Sequence, residues 1–167
     1  MIILGIDPGT LIMGYGIIES REEKVIPIKY GTVKTAERSP TGERLSYLYN
    51  QLVQIISEFN PDAVAIEEPF VAKNVRSALA IGKAQAVAIL AAANLHKPCY
   101  EYSPAEIKQR VTNYGASSKD QIQQMVRLLL GLDEVPAPSD AADALAVALC
   151  HLQSIHLNQI LNWQVEK

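Results

Sequence analysis

An apolar run near the start of the chain ends on a carboxylate. In the segment IILGIDPGT, Asp7 follows five residues without a charge, and Pro8 and Gly9 come directly after it. An apolar run that Pro and Gly interrupt predicts a buried strand over residues 2–7 that turns sharply at its end. Because a buried carboxylate without a partner is costly, we expect Asp7 to meet a cation or a hydrogen-bond donor at the end of this strand.

The next elements continue a sheet and add a helix. The segments at 14–20 and 25–33 predict two further strands, and three consecutive strands are typical of an antiparallel meander. Apolar residues recur at steps of three and four between Leu45 and Phe59, which predicts a helix that Pro61 ends. The segment AVAIEE (63–68) then predicts a short strand that again ends on acidic residues.

The second half of the chain alternates between helices and one more strand. Residues 74–94 predict a long helix of small side chains, and CYEY (99–102) predicts a fifth strand. Ser103 and Ser118 open capping boxes of two further helices, and the last clear helix begins at Ser139. This order predicts an α/β fold, in which helices flank a five-stranded mixed sheet of three antiparallel strands followed by parallel strands.

Four acidic residues can converge in such a fold. Asp7 and the pair Glu67-Glu68 end two strands, and Asp140 and Asp143 lie three residues apart at the start of a helix. Sites in open α/β sheets gather at the carboxyl ends of the strands. Converging carboxylates need a counter-charge, and oxygen ligands favour Mg²⁺ or Mn²⁺. Two such ions are a common device for phosphodiester cleavage.

Three of these acids also have a simpler interpretation, which Asp7 at the end of a buried strand lacks. Asp140 can be a first-turn acid that the helix dipole favours, and Asp143 can be a solvated surface acid. Glu68 can be either a ligand or only a neighbour of the site. The sequence pattern by itself leaves these alternatives open.

Charge and hydropathy narrow the function classes. The net charge of −3 argues weakly against a polyanionic partner, but setting aside four of the 18 acids leaves 14 against 15 basic residues. We expect no apolar stretch of the roughly 20 residues that span a bilayer, and no secretory signal at the start. The sequence therefore predicts a cytoplasmic protein without a membrane partner.

Three motifs in order resemble the RuvC family of Holliday-junction resolvases. They are GIDPGTLIMGYG, AIEEPFVAKNVRSALAIGKAQAV and DAADALAVA, and the resemblance covers residues 1–153. It implies an RNase H-like nuclease domain over 1–153. The remaining tail, 154–167, either extends the last helix or is disordered.

The resemblance also implies the chemistry. It points to a homodimer that uses Mg²⁺, two ions per subunit with Mn²⁺ as a possible substitute, to nick four-way DNA junctions. The implied catalytic and metal-binding residues are Asp7, Glu67, Asp140 and Asp143. Glu68 stays a neighbour, and some relatives carry His at the position of Asp143.

The resemblance further implies a biological setting. The family makes paired symmetric nicks in strands of like polarity, which leave 5′-phosphate and 3′-hydroxyl ends. Its best-known members prefer a short T-rich sequence, and the family works with the RuvA–RuvB branch-migration complex. The implied process is homologous recombination and DNA repair.

Six side chains are candidate DNA contacts. An aromatic residue at Phe70 would pack in a core by default, whereas the resemblance implies that it stacks on bases near the crossover. The resemblance also matches Lys108 and Lys119 to basic positions near the scissile phosphate. Steps of three and seven residues place the remaining candidates on one side of the 74–94 helix or at its entry, where they contact DNA or are solvated surface charges: Lys73, Arg76 and Lys83.

Two other function classes fit part of the pattern. The turn after Asp7 is similar to the phosphate-binding turn of ATPases and sugar kinases related to actin. Those proteins use two such domains, and 167 residues are too few for both. A catalytically silent junction-binding subunit is the other alternative, but a pure binder gains nothing from a negative cluster beside phosphates.

Overall fold

The predicted order of strands and helices is confirmed. A computed structural model describes residues 1–22, 24–69 and 75–165, and of 158–165 it describes the backbone only. The strands are β1 (Ile2–Asp7), β2 (Ile12–Arg21), β3 (Lys24–Lys34), β4 (Ala63–Glu67) and β5 (Cys99–Tyr102). The helices are α1 (Thr41–Phe59), α2 (Val75–Asn94), α3 (Pro104–Thr112), α4 (Lys119–Leu129) and α5 (Ser139–Val165).

The five strands form one mixed sheet in the order β3-β2-β1-β4-β5. Strand β2 pairs antiparallel with β1 and with β3, whereas β4 pairs parallel with β1 and with β5. The predicted mixed sheet is therefore confirmed. Because β1, β3, β4 and β5 run in the same direction, they all end at one edge of the sheet, which we call the carboxyl edge.

Helices cover both faces of the sheet. On one face Ile3 and Ile18 pack with α5 residues such as Leu145, and on the other Leu4 packs with Leu48 of α1 and the alanines of α2. Strand β1 lies in the middle and is buried on both sides. This position explains why its sequence is an apolar run rather than an alternation of apolar and polar residues.

One helix boundary differs from the pattern, and the extension of the last helix, one of the two alternatives for the tail, is observed. Helix α1 begins at Thr41, four residues before the first apolar residue of the periodic pattern, because its first turn is polar. Helix α5 continues through the predicted tail to Val165. The division between a nuclease domain and a tail after residue 153 stays a prediction.

Helix α2 is long and apolar enough to cross a membrane by length and composition. It spans 20 residues with a mean hydropathy of 1.4, so the expectation that no stretch of this kind exists is wrong. Core helices of soluble proteins also meet this criterion. One face of α2 packs against the sheet and α1 through Ala84, Ala88 and Ala91.

Candidate active site

Two acids lie side by side at the carboxyl edge. Strands β1 and β4 are parallel neighbours in which Ile6 is opposite Ile66, so Asp7 and Glu67 follow as adjacent strand ends. Both side chains are half-buried. The sheet thus holds the two carboxylates next to each other, as the strand-end pattern predicted.

The other two acids reach the same place from α5. The helix begins at the carboxyl edge, with Asp140 in its first turn, and crosses β1 and β2, where it lies close to the strands. A Cβ on Gly5 would overlap the backbone of Ala144, and one on Gly16 would lie 2.7 Å from Leu145 Cγ. Gly5 and Gly16 are therefore the sequence signal for the close approach of α5 to the sheet, which the pattern of acids alone does not show.

Burial and neighbouring charges raise the pKa values of the two strand-end acids. Burial raises the pKa of Asp7 to about 8, with further contributions from Glu67, Asp143 and Asp140. Burial and the charge of Asp143 raise the pKa of Glu67 to about 7. These shifts mean that burial, together with the nearby carboxylates, disfavours the ionised forms of Asp7 and Glu67, and that a bound cation would favour them.

Two lysines supply part of that counter-charge. Lys119 Nζ lies 2.5 Å from Asp143 Oδ2 and forms an ion pair with it. The charge of Lys119 lowers the pKa values of Asp7 and Glu67, and Lys108 lowers that of Glu67. Both lysines line a cleft of about 250 Å³ together with Glu67 and Asp143.

Helix caps fix the two lysines at the cleft. Ser103 and Glu106 form a capping box at the start of α3, and Ser118 and Gln121 form another at the start of α4. The second box makes Lys119 the first residue of α4. The helix dipole disfavours a cation at the N-terminal end of a helix. The ion pair with Asp143 explains why Lys119 is nevertheless found there.

The cluster offers oxygen ligands, but they are not arranged around an ion. In residues 1–22, 24–69 and 75–165, no three His, Cys, Asp or Glu side chains are placed so that they could hold one. Asp143 is directed to Lys119 instead. The chemistry of the set still fits a hard divalent cation, since all four donors are carboxylates and a bound cation would favour their ionised forms.

The remaining predicted residues lie elsewhere. Arg76 and Lys83 are exposed on α2 and do not line the cleft of the acids. Glu68 is exposed, and its backbone N–H donates to the carbonyl oxygen of Tyr102. Phe70 and Lys73 lie outside the described residues.

Comparison with known proteins decides the family. The family model described as crossover junction endodeoxyribonuclease RuvC matches residues 3–151. The chain belongs to the RuvC family. Its members are nucleases, and this one has their RNase H-like fold.

Relatives of high identity carry the same description. A RuvC protein from Dehalococcoides mccartyi (strain ATCC BAA-2100) is 58% identical over 151 residues, which cover 90% of each chain. A RuvC protein from Desulfitobacterium hafniense (strain DSM 10664) is 50% identical over 157 residues, 94% of this chain and 95% of that protein.

Solved structures agree with the RuvC assignment. The structure of T. thermophilus RuvC in complex with Holliday junction substrate is 34% identical, with a TM-score of 0.89 over 95% of this chain and 96% of that chain. The yeast mitochondrial Holliday junction resolvase Ydc2 shares the fold at 18% identity, with a TM-score of 0.60 over 90% of this chain and 78% of that chain.

Proposed function

We propose that this RuvC protein resolves Holliday junctions in recombination and DNA repair by paired, symmetric nicks in strands of like polarity. The observation that carries the proposal is the convergence of Asp7 and Glu67, at adjacent strand ends, with the start of α5 that carries Asp140 and Asp143, at the carboxyl edge of a RuvC fold. The four-way junction is the substrate that the RuvC complex from T. thermophilus contains. We place the activity in the cytoplasm, beside the RuvA–RuvB complex.

The four carboxylates would hold two divalent cations, Mg²⁺ or Mn²⁺. Ions bound there would supply Lewis-acid chemistry, by lowering the pKa of a water and by offsetting negative charge on the leaving oxygen. In the hydrolysis, a water oxygen bonds to phosphorus, the bond to the 3′ oxygen breaks, and the products carry a 5′-phosphate and a 3′-hydroxyl.

The two lysines of the cleft would bind the phosphate group of the DNA. Lys108 and Lys119 line the same cleft as Glu67 and Asp143, so a phosphate that enters it would meet cations as well as carboxylates. Their charges offset the repulsion between the anionic phosphate and the carboxylates. Lys119 can keep its ion pair with Asp143 until the phosphate arrives.

The acids can be tested with a synthetic four-way junction whose four strands are labelled in turn. With Mg²⁺, the wild-type protein is expected to make paired nicks in two opposing strands. Asp7→Asn and Glu67→Gln are expected to bind the junction without cutting it. Glu68→Gln is the matched control and is expected to cut at near the wild-type rate, because Glu68 is exposed beside the cleft.

Two results would contradict the proposal. Intact junction in every sequence and metal tested would exclude resolvase activity and favour a silent binding subunit. Cutting by Asp7→Asn at the wild-type rate would be compatible with resolvase activity, but it would show that the assignment of the four catalytic acids is wrong.

We also propose that α2 contacts a second copy of the chain. Val75, Leu79 and Leu90 are 64%, 62% and 55% exposed and lie on one side of the helix. Val75 and Leu79 line a mainly apolar groove of about 450 Å³ together with Ala78, Ala86 and the stem of Lys83. A two-fold axis through this face would relate two active sites, as symmetric nicks in two strands require.

A further inference from the structure

A second cleft at the carboxyl edge contains two cations without carboxylate partners. Its volume is about 350 Å³, and it lies between the end of β3 and the first turns of α1. We call it the Lys34–Arg44 cleft, and its side chains include Lys34, Thr35, Ser39, Glu43, Arg44 and Tyr47. None of these residues is among those that the proposed chemistry uses.

The sheet places this cleft beside the acids. Asp7 is opposite Gly14 on β2, and Gly14 is opposite Thr32 on β3. Two strand spacings of about 4.8 Å and two residues of about 3.3 Å then separate Asp7 from Lys34, which is roughly 12 Å between backbones. This span corresponds to three or four base-pair steps of about 3.4 Å, so one DNA arm reaches both places.

Direct hydrogen bonds join the cleft to the turn after Asp7. Thr35 Oγ1 donates to the carbonyl oxygen of Thr10 at 2.7 Å, and the Thr35 N–H donates to the carbonyl oxygen of Leu11 at 2.9 Å. The loop that follows is braced by the Ser39 N–H, which donates to the carbonyl oxygen of Ala36 at 3.1 Å. The cleft is therefore held in a fixed position relative to the acids.

The cations in the cleft lack the partners that other cations of the protein have. Lys34 is exposed and forms no ion pair in the part of the chain that the structure describes. Arg44 is half-buried, its Nε has no acceptor, and its Nη2 reaches only Thr41 Oγ1 at 3.4 Å. Glu43 lines the same cleft, but its carboxylate forms no ion pair with Lys34 or Arg44.

A lysine on the same strand shows the contrast. Lys29 Nζ lies 3.7 Å from Glu58 Oε1 and 5.2 Å from the centre of the Phe59 ring. Its charge therefore has a role within the fold. The charges of Lys34 and Arg44 have no such partner within the fold. Each side chain can donate a hydrogen bond to a phosphate oxygen.

We propose that the Lys34–Arg44 cleft binds the phosphate backbone of the DNA arm that enters the active site, with Lys34 and Arg44 as phosphate contacts. This inference rests on the proposed junction activity. It adds a site on the β3 side of the acids, opposite the side of Lys108 and Lys119, so that the arm is held on both sides of the cut. Because phosphates carry no sequence information, the cleft positions the arm and does not select its bases.

The test is the salt dependence of junction binding. The dissociation constant of the full-length protein for a fluorescently labelled four-way junction is measured between 50 and 200 mM NaCl without added divalent metal. The variants are Lys34→Gln, Arg44→Gln, the charge-retaining Lys34→Arg and, as matched control, Lys29→Gln, which removes the same charge from the same strand.

Counterion release gives the expected size of the effect. Each lost phosphate contact reduces the slope of log K against log salt by about 0.9, or roughly eightfold in affinity near 0.1 M salt. Lys34→Gln and Arg44→Gln are expected to show this loss, and Lys34→Arg is expected to restore the wild-type slope. Lys29→Gln is expected to stay on the wild-type line.

The outcomes separate this inference from the proposed function. If wild-type protein binds the junction and both cleft variants match Lys29→Gln, the cleft is not a phosphate site, whereas the resolvase proposal stands. If the wild-type protein itself fails to bind the junction, both proposals fall. Thermal unfolding of each variant identifies any loss of junction affinity that comes from misfolding. If Arg44→Gln is misfolded, the comparison of Lys34→Gln with Lys34→Arg at an exposed position decides the result.

Discussion

Gly14 lies directly against the backbone carbonyl of Asp140, so that a Cβ atom at Gly14 would overlap the carbonyl oxygen. Gly14 is also the residue opposite Asp7 in the β1–β2 pair. This glycine therefore allows the first turn of α5 to approach the strand end that carries Asp7. The distance between the two sets of acids depends on the absence of a side chain here.

We expect Gly14→Ala to destabilise the protein and to slow cleavage. Overpacking against a backbone that cannot move costs about 1–3 kcal/mol or more of unfolding free energy, and the shift of α5 separates Asp140 from Asp7. Urea denaturation and the junction-cleavage rate measure the two effects. Gly42→Ala is the matched control, because nothing lies within 4 Å of a Cβ at Gly42. Equal stability of the two variants would show that α5 does not lie this close to β2.

The raised pKa values predict how the metal-free protein responds to pH. Asp7 has a pKa of about 8 in the folded protein, against about 3.9 in an unfolded chain. The folded state therefore binds a proton that the unfolded state releases, and its stability falls as pH rises through 8. We expect the unfolding free energy in EDTA to be about 1 kcal/mol higher at pH 7 than at pH 8.

Between pH 7 and 8 the opposite effect of His151 on stability is small. Burial lowers the pKa of His151, so His151 favours the folded state at higher pH, and it acts mainly below about pH 6.5. Asp7→Asn is expected to remove most of the dependence between pH 7 and 8, because Glu67, with a pKa of about 7, contributes a smaller change of the same sign. Mg²⁺ is expected to flatten the dependence by favouring the ionised carboxylates. A wild-type protein that is more stable at pH 8 than at pH 7 in EDTA would contradict the prediction.

The ion pair between Lys119 and Asp143 predicts a role in cleavage that exceeds its role in binding. Lys119→Gln removes a cation from the cleft, so we expect the single-turnover rate to fall roughly 100-fold, as for loss of a preorganised group that stabilises developing charge. The affinity for the junction is expected to fall by less than tenfold, because one phosphate contact is lost.

Lys97→Gln is the control for Lys119→Gln. Lys97 donates to Asn60 Oδ1 at 2.6 Å and is absent from the lining of the acid cleft, so its loss removes the same charge without touching the acids. If both variants cut equally fast, or if Lys119→Gln loses binding and cutting in equal measure, Lys119 serves only to attract DNA.

Sequence periodicity predicted most of the fold, because the elements that pack on a core carry the pattern of that core. The unbroken apolar run predicts strand β1, because β1 lies in the middle of the sheet and is buried on both faces. The start of α1 at Thr41 was missed because its first turn faces solvent and carries no apolar residue. Local patterns cannot show a boundary that no buried side chain marks.

The candidate site was predicted less completely. Acids at strand ends and at a helix start indicated where Asp7, Glu67 and Asp140 would meet. The pairing of Lys119 with Asp143 joins residues 24 positions apart on two helices, and it follows from packing that the sequence does not display. The unpaired state of Lys34 and Arg44 is also a property of the folded chain, because a charge in a sequence has no visible partner.

The exposed face of α2 gives the last prediction. Leu79→Glu places a charge in the groove of the proposed dimer contact, which is mainly apolar, so we expect the protein to become monomeric. Leu128→Glu on α4 is the matched control, since Leu128 is 60% exposed and Leu79 is 62% exposed. Analytical ultracentrifugation measures the mass of each variant, and the junction assay measures whether its nicks stay paired. We expect the Leu79 variant to lose paired nicking together with the dimer. A dimer that persists in Leu79→Glu would place the contact on another surface.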